Sequence, residues 1–224
     1  MTDCHILVMS DIHLGSRVCR ADKVLELLKK TEFDILIVNG DLFDSNKTRK
    51  LTQKHWEVIS TLSNIAKDRK VMLVGGNHGR ELDVLAKEIG MEIKNEHAFI
   101  LGNNRFLCLH GDEFDILVKY LPTVSDLFGR LYYLIQKLDG KNQRASVFMK
   151  LLTKKVLGVP RRQERLALRR GAASGAQVVI CSHTHIPHID SKNGILFINS
   201  GSFCDIPATY VSITKDGKAE LMEI

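Results

Sequence analysis

Short apolar runs rich in β-branched residues punctuate the first half of the chain, and a polar cluster follows each one. Cys4 to Ser10, Phe33 to Asn39 and Lys70 to Gly75 read as buried strands. Between the first two, Ala21, Val24, Leu25 and Leu28 recur at helical spacing, with Asp22 in a first turn where it suits the helix dipole. Helical patterns also run through roughly Thr52 to Ala66 and Glu81 to Ile89. This β-α-β-α-β alternation predicts a parallel sheet covered by helices, with ligand sites beyond the carboxyl ends of its strands.

The second half has a different rhythm. Phe106 to Leu109 and Gln177 to Cys181 look like short strands, each ending at a histidine cluster. Ile195 to Asn199, Thr209 to Thr214 and Ala219 to Ile224 are separated by the turn signals Lys192-Asn-Gly194 and Lys215-Asp-Gly217. Asn-Gly and Asp-Gly pairs predict hairpins, hence an antiparallel portion. Between the halves, Val124, Leu127, Phe128, Leu131, Ile135 and Leu138 form an apolar stripe at helical spacing. A second helical stretch through Val147, Leu151, Leu152 and Val156 is broken at Gly158-Val-Pro160. The stripe suits core packing, lipid contact or a dimer interface. Trp56, the sole tryptophan, is expected to pack in its helix.

A chain of 224 residues with 44% hydrophobic content fits one globular domain, residues 1–224. No apolar run is long enough to cross a bilayer, and no basic segment followed by an apolar stretch marks a signal peptide. Five scattered cysteines without C-x-x-C pairing suit reduced thiols, so a cytoplasmic location is expected. Charge is unevenly placed. Residues 113–175 hold 13 Lys/Arg against 5 Asp/Glu, a surplus of 8, whereas the whole chain carries +6. This basic helical insert either faces an anionic partner or is a solvated surface.

Seven candidate metal ligands lie in the clusters Asp11-Ile-His13, Gly40-Asp41, Gly75-Gly-Asn77-His78, His110-Gly-Asp112 and Ser182-His183-Thr-His185. Carboxylate, imidazole and amide oxygen without thiolate suit Mn²⁺, Fe²⁺ or Zn²⁺ better than Mg²⁺ or Ca²⁺. Seven ligands exceed one ion's coordination number. With one bridging carboxylate they divide into two four-ligand sites, each with room for solvent. Two such ions about 3.5–4 Å apart can share a hydroxide and stabilise in-line attack on phosphorus. No protein nucleophile is then needed.

In this order the five blocks resemble the signature of the calcineurin-like metallophosphoesterases. The resemblance implies two packed mixed β-sheets flanked by helices. It assigns Asp11, His13 and His185 to one metal, Asn77, His110 and His183 to the other, and Asp41 to both. His78 would touch the phosphate and protonate the leaving oxygen or stabilise charge there. Many members follow the Asn-His pair with an acidic residue; this chain has Gly79, which leaves Asp112 or Asp44 as stand-ins.

Ser10-Asp-Ile-His-Leu-Gly-Ser-Arg17, Cys19-Arg-Ala-Asp22 and His110-Gly-Asp-Glu-Phe-Asp115 are similar to the UDP-2,3-diacylglucosamine diphosphatases. That resemblance implies hydrolysis of a nucleotide-linked lipid to UMP and a lipid phosphate in lipid A biosynthesis. It makes the insert a lid over acyl chains and places the protein at the inner membrane face. Characterised diphosphatases usually have Arg in place of His78 and an acidic residue in place of Gly79. Another phosphoester, a cyclic nucleotide or a nucleic acid is the alternative substrate, and a non-catalytic protein-binding scaffold the third reading. Arg17 and Arg80, in loops beside proposed ligands, are candidates for phosphate recognition. His5, His55, His97 and His188 are expected in structural or surface roles, with His188 near enough to His185 to meet substrate. Arg161, Arg162, Arg165, Arg169 and Arg170 form a basic cluster, but little aromatic interleaving supports nucleic-acid stacking.

Overall fold

A computed structural model of the chain describes residues 4–45, 47–115 and 158–224. The first sheet is built on four parallel strands, β1 (Ile6–Met9), β2 (Ile35–Asn39), β3 (Lys70–Val74) and β4 (Glu92–Lys94). The chain's last strands, β10 (Thr209–Ile213) and β11 (Ala219–Glu223), extend it antiparallel from β1. The order is β11-β10-β1-β2-β3-β4. The second sheet contains β5 (Glu96–Leu101), β6 (Asn104–Leu109), β7 (Val178–Cys181), β8 (His188–Lys192) and β9 (Ile195–Asn199). Its order is β5-β6-β7-β9-β8, with β6, β7 and β9 parallel and the two edge strands antiparallel.

Alternation along the strands explains the layers. Leu7, Met9, Leu36, Val38, Val71 and Leu73 face one way, against Val24 and Leu28 of α1 (Ala21–Lys30) and Val58 and Leu62 of α2 (Gln53–Asp68). Ile6, Val8, Ile37, Met72 and Val74 face the other way, against Phe106, Cys108, Val178, Ile180 and Ile198 of the second sheet. The far face of that sheet, Leu107, Leu109, Val179, Cys181 and Phe197, meets Ala167 of α4 (Val159–Ser174). Central strands are therefore apolar on both faces, which is why they read as continuous runs. A short α3 (Asp83–Glu88) completes the α-helices among the described residues.

The turns at Asn193-Gly194 and Asp216-Gly217 join β8 to β9 and β10 to β11, as the sequence predicts. Three differences stand out. β4, β5 and β8 have no counterpart among the predicted strands. Gly158-Val-Pro160 also opens a helix: Gly158 is its N-cap at φ 65° and Pro160 lies in its first turn. Trp56 is 46% exposed on α2, not packed. The predicted stripe from Val124 to Leu138 and the stretch from Val147 to Val156 lie outside the described residues.

His55 has the structural role expected of it. Its Nδ1 accepts from the Thr52 and Gly15 amides, while Thr52 Oγ1 accepts from the His55 amide, capping α2 and pinning the loop after His13. Burial lowers the His55 pKa and so keeps that nitrogen an acceptor. At the amino ends of β1 to β3, opposite the histidine clusters, the sheets enclose a cleft of about 230 Å³ lined by Ile6, Ile35, Ile37 and Phe99.

Candidate metal centre

All five clusters sit just past carboxyl ends of parallel strands: Asp11 after β1, Asp41 after β2, Asn77 and His78 after β3, His110 after β6, His183 and His185 after β7. Packing the sheets face to face brings them together. Five of the six non-glycine residues with positive φ among those described are Asp11, His13, Asp41, His183 and His185. Left-handed backbone costs energy for such residues and clusters at functional sites. Gly40, at φ 92°, shows why the turn before Asp41 has no side chain: a Cβ there would lie 2.0 Å from His110 Nδ1.

The seven residues form two pockets. In the first, His185 Nε2 lies 3.0 Å from Asp11 Oδ1 and 3.3 Å from His13 Nε2, itself 3.8 Å from Asp11 Oδ1. In the second, His110 Nε2 lies 3.3 Å from Asp41 Oδ2, and His183 Nδ1 lies 3.1 Å from Asn77 Oδ1. Asp41 Oδ2 also lies 3.7 Å from His13 Nε2 of the first pocket, so one oxygen stands between the two. The other oxygens of both carboxylates are committed elsewhere: Asp41 Oδ1 accepts from the His78 amide, and Asp11 Oδ2 from the His183 amide.

Each imidazole turns one nitrogen inward and the other outward. His110 Nδ1 faces the Asn39 carbonyl at 3.1 Å and Ser182 Oγ at 3.0 Å. His183 Nε2 faces Asp115 Oδ2 at 3.0 Å, and His185 Nδ1 faces Asp205 Oδ2 at 3.1 Å. His13 Nδ1 is buried without a hydrogen bond, with Asp44 Oδ1 3.8 Å away.

Burial would push both carboxylates up. Instead the charge of the neighbouring His185 holds Asp11 far below the usual range, and that of His110 does the same to Asp41. Burial lowers His13 to about 3. Burial also disfavours a charged His110, but the neighbouring Asp41 outweighs it and raises the imidazole to about 10.

These residues fit divalent ions. Asp11 Oδ1 and His110 Nε2 point into the pockets buried and without a hydrogen bond. Metal–ligand bonds of about 2.1 Å put neighbouring ligand atoms about 3.0–3.4 Å apart, the range most of these separations occupy. Two groups, Asp11–His13–His185 and Asp41–His110–His183, each have ligand atoms within 4.8 Å of one another. A third, Glu164–His188–Asp190, is different, because Lys192 Nζ pairs with Glu164 and lies 2.8 Å from Asp190. An ammonium group already occupies a cation's place there. His188 is drawn to Glu164, 3.7 Å away.

His78 is exposed at the rim, its ring 5.1 Å from that of His13. Neither suggested stand-in for an acidic partner is placed beside it by a hydrogen bond or ion pair: Asp44 sits between His13 and Lys50. Gly79 has a local reason. Its φ is 63°, and a Cβ would meet the Phe43 carbonyl oxygen at 2.7 Å. Arg80 Nε donates to the Gly76 carbonyl at 2.7 Å, which ties it to the loop, and Arg17 is exposed.

Sequence reasoning missed the support around the ligands. Asn39 Nδ2 donates to the Leu109 carbonyl and Ser182 Oγ. Gln163 of α4 donates to the Ser182 carbonyl at 2.9 Å and accepts from Asn199 Nδ2. Asp115 lies in a block noted for its resemblance; Asp205 has no local signal.

The fold and site together are a two-layer sandwich with two clusters of candidate metal ligands at one edge. Residues 4–216 match the calcineurin-like phosphoesterase superfamily domain, and the chain belongs to that superfamily. Among solved structures it is similar to a novel archaeal phosphodiesterase (15% identity, 98% of this chain and 99% of that one, TM-score 0.53). It is similar to the phosphoesterase Yfce from E. coli (18%, 98% of each chain, TM-score 0.52). A Vps29 mutant from Entamoeba histolytica is another likeness (14%, 98% of each chain, TM-score 0.50). A search of curated proteins finds no match. Among the described residues, no helix is long and apolar enough to cross a membrane.

Proposed function

We propose that this phosphoesterase is a dimetal hydrolase in which Asp11, His13 and His185 hold one ion, Asn77, His110 and His183 the other, and Asp41 both. The carrying observation is Asp41 Oδ2, which reaches His110 Nε2 at 3.3 Å and His13 Nε2 at 3.7 Å while Oδ1 is held by the His78 amide. When bound, two such ions supply an acidified water as nucleophile and charge for the phosphoryl oxygens. Mn²⁺ suits the donor set, as do Fe²⁺ and Zn²⁺.

The chain's own residues do the rest. Asp11 and Asp41 stay ionised through the neutral range because neighbouring imidazoles outweigh their burial. His78, at the rim and fixed through its amide to Asp41, meets the leaving oxygen and donates a proton or hydrogen bond to it. Arg17 stands in the loop after His13, where a guanidinium can pair with substrate phosphate. Arg80 anchors through Nε, leaving its terminal nitrogens for the same role.

For the substrate we propose a UDP-2,3-diacylglucosamine-type diphosphate, on the strength of the sequence blocks around Arg17, Asp22 and Asp115. Residues 113–175 would then be the basic insert that covers the lipid at the cytoplasmic membrane face. Contacts described in those blocks serve the metal pockets: Arg20 Nη1 donates to the Asp205 carbonyl, and Asp115 meets His183. His78 followed by Gly79 favours the second reading, a phosphodiesterase with another substrate.

The test incubates Mn²⁺-loaded protein with UDP-2,3-diacylglucosamine and, separately, with bis-p-nitrophenyl phosphate. UMP release, abolished by Asp41→Asn, is expected. Hydrolysis of the diester alone would select the second reading; no hydrolysis of either would remove the enzymatic one.

A further inference from the structure

We infer that Asp115 and Asp205 are a matched pair of positioning residues, one for each metal pocket, an inference that rests on the dimetal reading above. His183 and His185 lie on the loop after β7 with φ of 65° and 58°. Neither ring is set by a strand's regular geometry, and each meets a carboxylate on its outward nitrogen. His183 Nε2–H donates to Asp115 Oδ2 at 3.0 Å, leaving Nδ1 to face Asn77. His185 Nδ1–H donates to Asp205 Oδ2 at 3.1 Å, leaving Nε2 to face Asp11 and His13. The hydrogen bond chooses which nitrogen carries the proton and therefore which one binds metal. The two rings use opposite nitrogens, so the choice is made by the carboxylates' positions.

The contrast with His110 sharpens this. That imidazole follows β6 and is oriented by a main-chain carbonyl and a hydroxyl. Both carboxylates are themselves anchored. Arg20 Nη1 holds the Asp205 carbonyl at 3.0 Å. The Asp115 amide donates to the Asp112 carbonyl at 2.9 Å, and Arg162 of α4 donates to the carbonyl of Phe114. Asp115 is 7% exposed, so its charge acts on His183 in a poorly solvated setting. Because each carboxylate serves one pocket, the two ions become separately addressable.

Mn²⁺ binding is measured by titration calorimetry and by electron paramagnetic resonance for wild type, Asp115→Ala, Asp115→Asn, Asp205→Ala and Asp205→Asn. Each Ala variant should bind one ion as wild type does and the other about 10–100-fold more weakly. Its spectrum should change from that of a coupled pair to that of an isolated ion at limiting metal. The Asn variants keep an oxygen acceptor in place and should recover part of the loss, which a merely structural role would not produce. Asp115→Ala combined with His13→Ala should remove the remaining site; combined with His110→Ala it should leave the first pocket's affinity unchanged. Two unchanged sites in the Ala variants, or equal weakening of both, would overturn the pairing. Wild type binding no metal would instead overturn the dimetal reading itself.

Discussion

His110 carries a proton in the metal-free chain up to about pH 10, because Asp41 outweighs the burial that opposes it. An ion at Nε2 has to displace that proton. The folded value lies above the ordinary 6.5, so this charge pair stabilises the metal-free fold fully below about pH 6.5 and loses that contribution as pH rises through about 10. Metal affinity runs the opposite way. With one proton exchanged, it should rise about tenfold per pH unit within that window. Calorimetry in buffers of different ionisation enthalpy should detect about one proton released per chain from this residue. A pH-independent affinity would place the proton elsewhere. His13, lowered to about 3 by burial, contributes no such release near neutrality.

Helix α4 shows where reading by apolar periodicity stops. Its inward positions are Gln163, Glu164, Ala167 and Gly171, polar or small, so no hydrophobic stripe marks them. Close approach explains the last: a Cβ on Gly171 would lie 2.4 Å from Val179 Cγ2. Gln163 is nearly fully buried and joins the Gly111, Ser182 and Asn199 groups beneath the second pocket. Gln163→Leu keeps the bulk and removes these bonds, and should cost about 1–3 kcal/mol through the lost bonds themselves, since the Ser182 and Gly111 carbonyls keep other donors. Denaturant unfolding measures it; an unchanged midpoint would show that α4 packs without this network. The strands β5 and β8 were hidden for a related reason. Their residues, Glu96-His-Ala-Phe-Ile-Leu101 and His188-Ile-Asp-Ser-Lys192, lie on sheet edges and are largely exposed. The buried strands β1, β2, β3, β7 and β9 were legible because both their faces are apolar.

At the scale of the molecule, each pocket draws on both sheets. Asp11 and His13 come from the first sheet's loops and His185 from the second's; Asp41 and Asn77 face His110 and His183 in the same way. This is why the candidate ligands were legible while their supports were not. Strand-end clusters announce themselves in the sequence, but Asp205 meets His185 only after β9 returns the chain to the site. The parallel pairing of β6, β7 and β9 was equally hidden, since a short strand's own residues do not reveal its direction. Ligation across the sheets should make metal a staple. At 100 times its Kd, an ion adds about 2.7 kcal/mol per site, so Mn²⁺ should raise the melting temperature and a chelator reverse it. An unchanged melting temperature with metal bound would mean that the unfolded chain binds the ions equally well. There is also a consequence for synthesis. Neither pocket is complete without a histidine from the turn after β7, so a growing chain cannot close either one until residues 183–185 have left the ribosome. Loading of the proposed ions would thereby be deferred until β7 and the turn after it have been made, so the segments before them would not be trapped around a stray ion.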